Sequence, residues 1–173
     1  MTMQYDVLSG HLDVSGFIAP VGRNRVKQIT YQGSGGGAGG IEIFDTTVAP
    51  TSATYGRSGD LVTIAKTAHG LVTGDRIGIA YSAAAGASAT DGNYTITRVD
   101  ANSFTITDPN SGTVTPGTAC RYVNGGARWM VSFNTVTSQT TPSSILVPGE
   151  GILAARGIYV VLTQTTFVTV FYG

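Results

Sequence analysis

The sequence predicts an all-β protein, and two observations lead to that prediction. Short runs rich in Val, Ile, Thr, Tyr and Phe recur along the chain and are interrupted by Gly, Asn, Asp and Pro. This is the pattern of strands joined by turns in a sandwich or a barrel. Apolar residues at helical spacing are almost absent, and 24 glycines interrupt the stretches that could otherwise become helices.

The individual strands follow from the same alternation of apolar and polar residues. We expect them at residues 26–31, 40–45, 61–64, 76–81, 92–99, 103–107, 129–133, 144–147, 157–162 and 167–172. Asp100, Ala101 and Asn102 predict a tight hairpin connection, because Asp and Asn tolerate positive φ. The alanine-rich run at residues 83–89 is predicted to be a loop, since it contains Gly86 and precedes an Asp-Gly turn.

Two polar seams that contain glycine, residues 55–59 and 123–126, suggest the domain organisation. They enclose a run of strands with its own turn signals, so residues 57–124 are predicted to form a small inserted β-domain. Residues 1–56 and 125–173 would then form a discontinuous, sandwich-like base domain, because insertions are tolerated where a surface loop has its ends close together. The alternative is one continuous sandwich without an insertion.

The charge content restricts the classes of function. Ten basic residues balance ten acidic residues, so the basic excess typical of nucleic-acid binders is missing. Charged residues make up only 12% of the chain, which indicates either a surface covered by partners or a Thr-rich β-protein. The N-terminus lacks the pattern of a signal peptide, and residues 157–173 are too short and too polar to span a bilayer. We therefore expect neither a nucleic-acid nor a membrane partner.

The glycine-rich run at residues 33–40 contains one match to a dinucleotide-binding pattern, formed by Gly35, Gly37 and Gly40. That pattern needs a helix directly after the loop, so that the helical amides meet a pyrophosphate. A predicted strand follows at residues 41–44 instead. The run is therefore predicted to be a hairpin loop.

The titratable residues do not form a recognisable catalytic or metal-binding pattern. His11 and His69 are the two histidines, and His69 is predicted to be a hydrogen-bonded turn residue. Glu42 and Glu150 are the two glutamates, and nothing in their surroundings supports a carboxylate pair for hydrolysis. Cys120 is the single cysteine and is predicted to be a buried thiol. We therefore expect a non-enzymatic protein without a cofactor.

Two short segments are candidates for a partner interface. Arg23, Arg25 and Lys27 would share one strand face, which would either contact an acidic partner or protect a strand edge by charge. Leu12 and Phe17 lie in an apolar N-terminal stretch that could dock on a neighbouring subunit as an arm. Deletion of residues 1–16 would then leave the inserted domain folded and weaken attachment.

Three stretches in the inserted region resemble a small β-barrel repeat of phage virion and tail proteins: residues 68–77, 91–96 and 99–106. The flanking residues 145–153, 157–160 and 168–172 are similar to short phage structural proteins. The repeat has a physical logic, because Gly70 and Gly74 permit a turn that the Asp75 side chain can cap.

The resemblance implies a capsid decoration (cement) protein on the virion, made in the host cytoplasm. Its partners would be the major capsid protein and further copies of itself, with a trimer as the favoured oligomer. The resemblance carries no catalytic residues. Two alternatives remain: a tail or head-to-tail component, and a carbohydrate-binding module for the host surface. The latter requires a groove lined by Tyr55, Tyr81 or Tyr122.

Overall fold

The computed structural model describes residues 7–19, 21–37, 39–83, 87–135 and 141–173. These residues are all-β, as predicted, and none of them forms a helix that could cross a membrane. The strands, in chain order, are β1 (Leu8–Leu12), β2 (Gly16–Ala19), β3 (Asn24–Gly33), β4 (Gly39–Asp45), β5 (Thr51–Ala65), β6 (Arg76–Tyr81), β7 (Gly92–Thr95), β8 (Thr97–Arg98), β9 (Ser103–Val123), β10 (Arg128–Thr135), β11 (Ser143–Leu146), β12 (Ile152–Ala154), β13 (Ile158–Thr163) and β14 (Thr165–Tyr172).

The chain divides into two compact units. One contains residues 1–49 and 130–173, which we call the base unit, and the other contains residues 50–129, which we call the insert unit. The predicted limits of the insert were residues 57 and 124. The seam at residues 55–59 is not a linker, because it lies inside β5, where two register shifts bend the strand beside its partner β9.

The base unit contains two antiparallel sheets. The first has the strand order β1-β14-β3-β11, with β12 beside β3, and the second has the order β10-β4-β13-β2. One core receives side chains from both sheets, so they pack face to face as a sandwich. Its fully buried members include Val26, Ile29, Ile41, Ile43, Ile158, Val160, Val168 and Val170.

Residues 8–12 and 16–19 are strands of the base unit. β1 pairs with β14 over five residues, and β2 pairs with β13. Leu12 and Ile18 pack against the core of the same unit. The prediction of a docking arm is therefore wrong for residues 8–19, because the strands they form pair with β14 and β13 of their own unit.

The insert unit has one sheet of order β5-β9-β6-β7, with β8 also pairing with β9. The barrel that the resemblance implied is not closed in these described strands. The strand pairing is interrupted at Ile96, between β7 and β8. Its amide donates to Asp75 O at 2.9 Å and its carbonyl accepts from Gly74 N at 3.0 Å. Ile96 thus uses its backbone groups on a turn instead of a strand ladder.

The core of the insert unit follows the predicted alternation. Ile64 pairs with Phe104 and Val62 pairs with Ile106, and all four side chains are buried. At Gly78 the backbone of β6 crosses the chain closely, since a Cβ there would lie 2.0 Å from the Trp129 amide nitrogen. Only glycine fits such a crossing.

The glycine-rich run is a loop between β3 and β4. The prediction of a hairpin is wrong, because β3 and β4 belong to different sheets and do not pair with each other. Gly35 has φ of 75°, a conformation that favours glycine. Residue 38 lies outside the described residues. The run at residues 83–89 contains no helix or strand in its described part, but residues 84–86 also lie outside it.

Candidate interaction surfaces

The turn that carries the phage-like motif is held by His69. Its Nδ1 accepts a hydrogen bond from the Leu71 amide at 3.0 Å, and its Nε2 lies 3.0 Å from Asp100 O. Because the first partner is a donor and the second is an acceptor, this geometry fits the tautomer that carries its proton on Nε2. The ring also packs edge-on against Phe104 at 5.1 Å. His69 is thus a hydrogen-bonded turn residue, as predicted.

The following residues complete the turn. Gly70 and Gly74 have φ of 70° and 98°. The Asp75 Oδ2 atom accepts the Val72 amide at 2.9 Å. Gly70, Gly74 and Asp75 therefore have the roles that the sequence predicted, since glycine permits the positive φ and the carboxylate satisfies a turn amide.

The predicted hairpin at residues 100–102 is present, but its physical basis differs from the predicted one. Asp100 and Asn102 do not have positive φ. Instead, the Asn102 amide donates to Asp100 Oδ1 at 2.7 Å, which lowers the pKa of the Asp100 carboxyl. Asn102 Oδ1 in turn accepts the amide of Ala68, which itself has φ of 52°. The hairpin and the His69 turn are therefore tied to each other.

A buried ion pair that sequence reasoning missed joins Arg57 of β5 to Asp108 of β9. Nη2 lies 3.2 Å from Oδ1, and the side chains are 1% and 0% exposed. Arg57 also donates to Gly59 O at 2.9 Å, to Ser88 O at 2.8 Å and to Asn110 O. All of these partners are protein groups, so the arginine fastens a loop and does not face a ligand.

The carboxylate of this pair is equally occupied. Asp108 Oδ1 accepts the Asn110 amide at 2.7 Å and the Thr90 hydroxyl at 3.1 Å, and Oδ2 accepts the Thr90 amide at 2.5 Å. The pair therefore fixes the loop at residues 87–90 to the paired strands β5 and β9, and it holds the backbone at residues 108–110 within β9. No sequence signal pointed to this pair, because glycines flank Arg57 and Pro109 follows Asp108, as in turns.

Asp45 at the end of β4 holds a second turn and was also missed. It is 2% exposed, and its carboxylate accepts the amides of Ala155 at 3.0 Å, Arg156 at 2.7 Å and Gly157 at 3.3 Å. The carboxylate oxygens are satisfied by backbone donors, so this side chain stabilises the connection into β13.

The insert unit has a groove of about 440 Å³ on the outer side of β5 and β9. Its surface is mostly apolar and hydroxyl-bearing, and the described lining contains no carboxylate, histidine or cysteine. The lining residues are Thr54, Tyr55, Gly56, Arg57, Ser58, Leu61, Thr63, Ala65, Thr113, Val114, Thr115, Pro116 and Gly117. The guanidinium of Arg57 is already bonded to protein groups. The groove is therefore a concave surface whose lining provides few polar groups for binding a ligand.

The tyrosines that a carbohydrate-binding module would need are buried. Tyr55, Tyr81 and Tyr122 are 1%, 8% and 3% exposed and belong to the core of the insert unit. Burial raises the pKa of Tyr81, and the Tyr55 hydroxyl donates to Ser82 O at 3.2 Å. These rings present no stacking platform to solvent. Cys120 is also buried in this core, as predicted.

The predicted basic cluster lies at the start of β3. Arg25 pairs with Glu150 at 3.1 Å, and Lys27 Nζ donates to Glu150 O at 2.9 Å. Two of the three cations therefore hold the turn at residues 148–151. The carboxylate is 83% exposed, so the ion pair adds at most about 1 kcal/mol to stability. Arg23 precedes the strand and is exposed.

The apolar interface candidates have different surroundings. Leu12 is half-buried against the base-unit core, whereas Phe17 is 48% exposed and packs edge-on against Tyr159 at 4.8 Å. His11 Nδ1 and the Thr169 hydroxyl form a hydrogen bond at 2.9 Å, and the His11 ring lies beside the ring of Phe167. The exposed large apolar side chains are Val7, Leu8, Val14, Phe17, Val21, Val48, Leu61, Val72, Val99, Ile145 and Leu146.

Comparison with known proteins gives no further assignment. No protein-family model matches this chain, and no curated protein sequence matches it significantly.

Proposed function

We propose that this chain is a non-enzymatic structural protein of a bacteriophage particle, and more specifically a capsid decoration protein that bridges major capsid subunits. The likeness of residues 68–77, 91–96 and 99–106 to a phage β-repeat suggests the particle. One observation carries the non-enzymatic part of the proposal. The motif side chains His69, Asp75 and Asn102 all bond to main-chain groups of the two connected turns, so they act as structural residues.

The base unit is the better candidate for the adhesive part. Most of the exposed large apolar side chains belong to it, and they include Leu8, Val14, Phe17 and Leu146. Buried apolar area contributes roughly 25 cal/mol per Å², so a few such contacts give a weak bond per copy. Repetition by symmetry over a shell turns weak bonds into stable attachment.

The composition also predicts how attachment responds to salt. Only 12% of the residues are charged and the net charge is zero, so little of the binding free energy would come from long-range charge interactions. Salt screens such interactions over roughly 10 Å at 0.1 M. Attachment should therefore weaken little as the salt concentration rises.

The test is the copy number of this protein in purified particles, measured by quantitative mass spectrometry against the major capsid protein. A decoration protein should be present at a copy number comparable to that of the capsid subunit. A far smaller number would overturn the decoration role in favour of a tail or collar component. Absence from the particles would contradict the structural role altogether.

A matched pair of variants tests which unit adheres. Phe17→Glu places a charge on the exposed face of the base unit, and Val99→Glu does the same at a 61% exposed position of the insert unit. We expect Phe17→Glu to lower particle occupancy while Val99→Glu leaves it unchanged. The opposite result would assign adhesion to the insert unit.

A further inference from the structure

Strand β11 forms an edge of the first base-unit sheet. It pairs with β3 on one side, with Ile145 opposite Ile29 and Leu146 opposite Gln28. In the described part of the chain no strand pairs with its other side. Ile145 is 37% exposed and Leu146 is 74% exposed.

The direction of its backbone groups follows from one hydrogen bond. Directly after the strand, the Val147 amide donates to Lys27 O at 2.9 Å. In an antiparallel pair, residues alternate between those that bond to the partner strand and those that point away from it. Ile145 therefore bonds toward β3, while the N–H and C=O groups of Ser144 and Leu146 point outward. These outward groups match an added β-strand.

This edge lacks the charges that usually protect strand edges. Residues 129–149 contain no Asp, Glu, Lys or Arg. Two other edge strands do carry a charge, since β5 contains Asp60 and β10 begins with Arg128, whereas the edge strands β1, β2 and β7 contain no Asp, Glu, Lys or Arg. Charged residues on an edge prevent pairing with further chains, because identical copies would bring like charges together. An uncharged, apolar edge therefore permits an identical copy to approach.

We propose that a second copy of this chain adds its β11 to this edge, antiparallel and related by a two-fold axis at Ile145. Ser144 of one copy then lies opposite Leu146 of the other, and both positions have outward backbone groups. The two Ile145 side chains meet as a directly opposed β-branched pair. The contact is isologous, so each copy contributes the same residues. This inference does not depend on a role in a phage particle.

The register makes a proline substitution informative. The Ser144 N–H points outward, so Ser144→Pro removes a donor that the intramolecular ladder does not use, and proline is tolerated at such edge positions. Ser144→Ala is the matched control, because it also loses the hydroxyl that contacts Thr30 but keeps the N–H. We expect wild type and Ser144→Ala to form dimers in sedimentation velocity as the concentration rises, and Ser144→Pro to stay monomeric with unchanged circular dichroism.

Disulfide trapping tests the register independently of folding effects. A disulfide requires Cα atoms about 4.4–6.8 Å apart, which a directly opposed pair satisfies. Under mild oxidation, Ile145→Cys should form a covalent dimer. Leu146→Cys, although more exposed, should not, because the two copies of residue 146 lie diagonally across the axis. Cys120 is 1% exposed and does not compete.

Three results would overturn the proposal. They are a wild-type protein that is monomeric at every concentration, association that survives Ser144→Pro, and cross-linking through residue 146 in preference to residue 145. A trimer that forms no Ile145→Cys cross-link would also overturn it.

Discussion

The buried pair of Arg57 and Asp108 makes the sharpest prediction about stability. The perturbation is Asp108→Asn, which keeps the shape of the side chain and removes its charge. Both carboxylate oxygens of Asp108 accept hydrogen bonds. One of these bonds comes from the Thr90 amide, at 2.5 Å. Whichever way the new amide is oriented, its NH₂ group faces a donor. The substitution therefore removes the counter-ion and adds a donor–donor conflict.

The size of the effect follows from the surroundings of the arginine. Removing one partner of a buried ion pair costs about 3–5 kcal/mol. Arg57 keeps four other carbonyl partners, on Gly59, Ala87, Ser88 and Asn110. Its charge is therefore partly compensated, so we expect a loss near the lower end, about 3 kcal/mol.

The assay is urea unfolding followed by circular dichroism, together with amide hydrogen exchange at Thr90 and Asn110. Asp60→Asn is the control, because Asp60 is an exposed aspartate of the same strand β5 and should change stability by less than about 0.5 kcal/mol. The reasoning is refuted if Asp108→Asn behaves like this control. Combining Arg57→Met with Asp108→Leu should recover part of the loss, since no uncompensated charge then remains.

Three further predictions follow from the backbone and the titratable groups. Gly78→Ala should destabilise the protein by about 1–3 kcal/mol, because the added Cβ would lie 2.0 Å from the Trp129 nitrogen. Gly36→Ala is the control, since its added Cβ meets nothing within 4 Å, and this variant should unfold at the wild-type urea midpoint. Burial raises the pKa of Tyr94 from 10.0 to about 12, so its contribution to stability should be complete below pH 10.0 and decline as the pH rises toward about 12; a Tyr94→Phe variant with the same alkaline decline would contradict this. Deleting residues 1–16 removes β1 and exposes the edge of β14, so it should lower the unfolding midpoint of the base unit, and an unchanged midpoint would show that β1 is dispensable.

Local features of the insert unit were predictable from the sequence. Strand β6 has the predicted limits, and Gly70, Gly74 and Asp75 form the predicted turn. These features depend on alternation, on positive φ and on a carboxylate within a few residues of its amide, all of which act over short sequence distances. The strands β1 and β2 were missed because glycine and polar residues weaken their alternation.

The ion pair was not predictable in the same way. Arg57 and Asp108 are 51 positions apart, and they meet because β5 and β9 pair along almost their entire length. Sequence reasoning placed Arg57 in a polar seam that contains glycine, as the first residue of the predicted insert. In the structure those glycines accommodate bulges in a strand that continues through them.

The sequence by itself determined the all-β class, most of the strand positions and the turn chemistry, because these depend on residue periodicity and local hydrogen bonding. Only the tertiary structure decided which strands pair, that the insert sheet stays open at Ile96, and that β11 lies at an uncharged edge. Strand pairing joins residues far apart in the chain, and the backbone groups that remain unpaired at an edge are known only after every pairing is known.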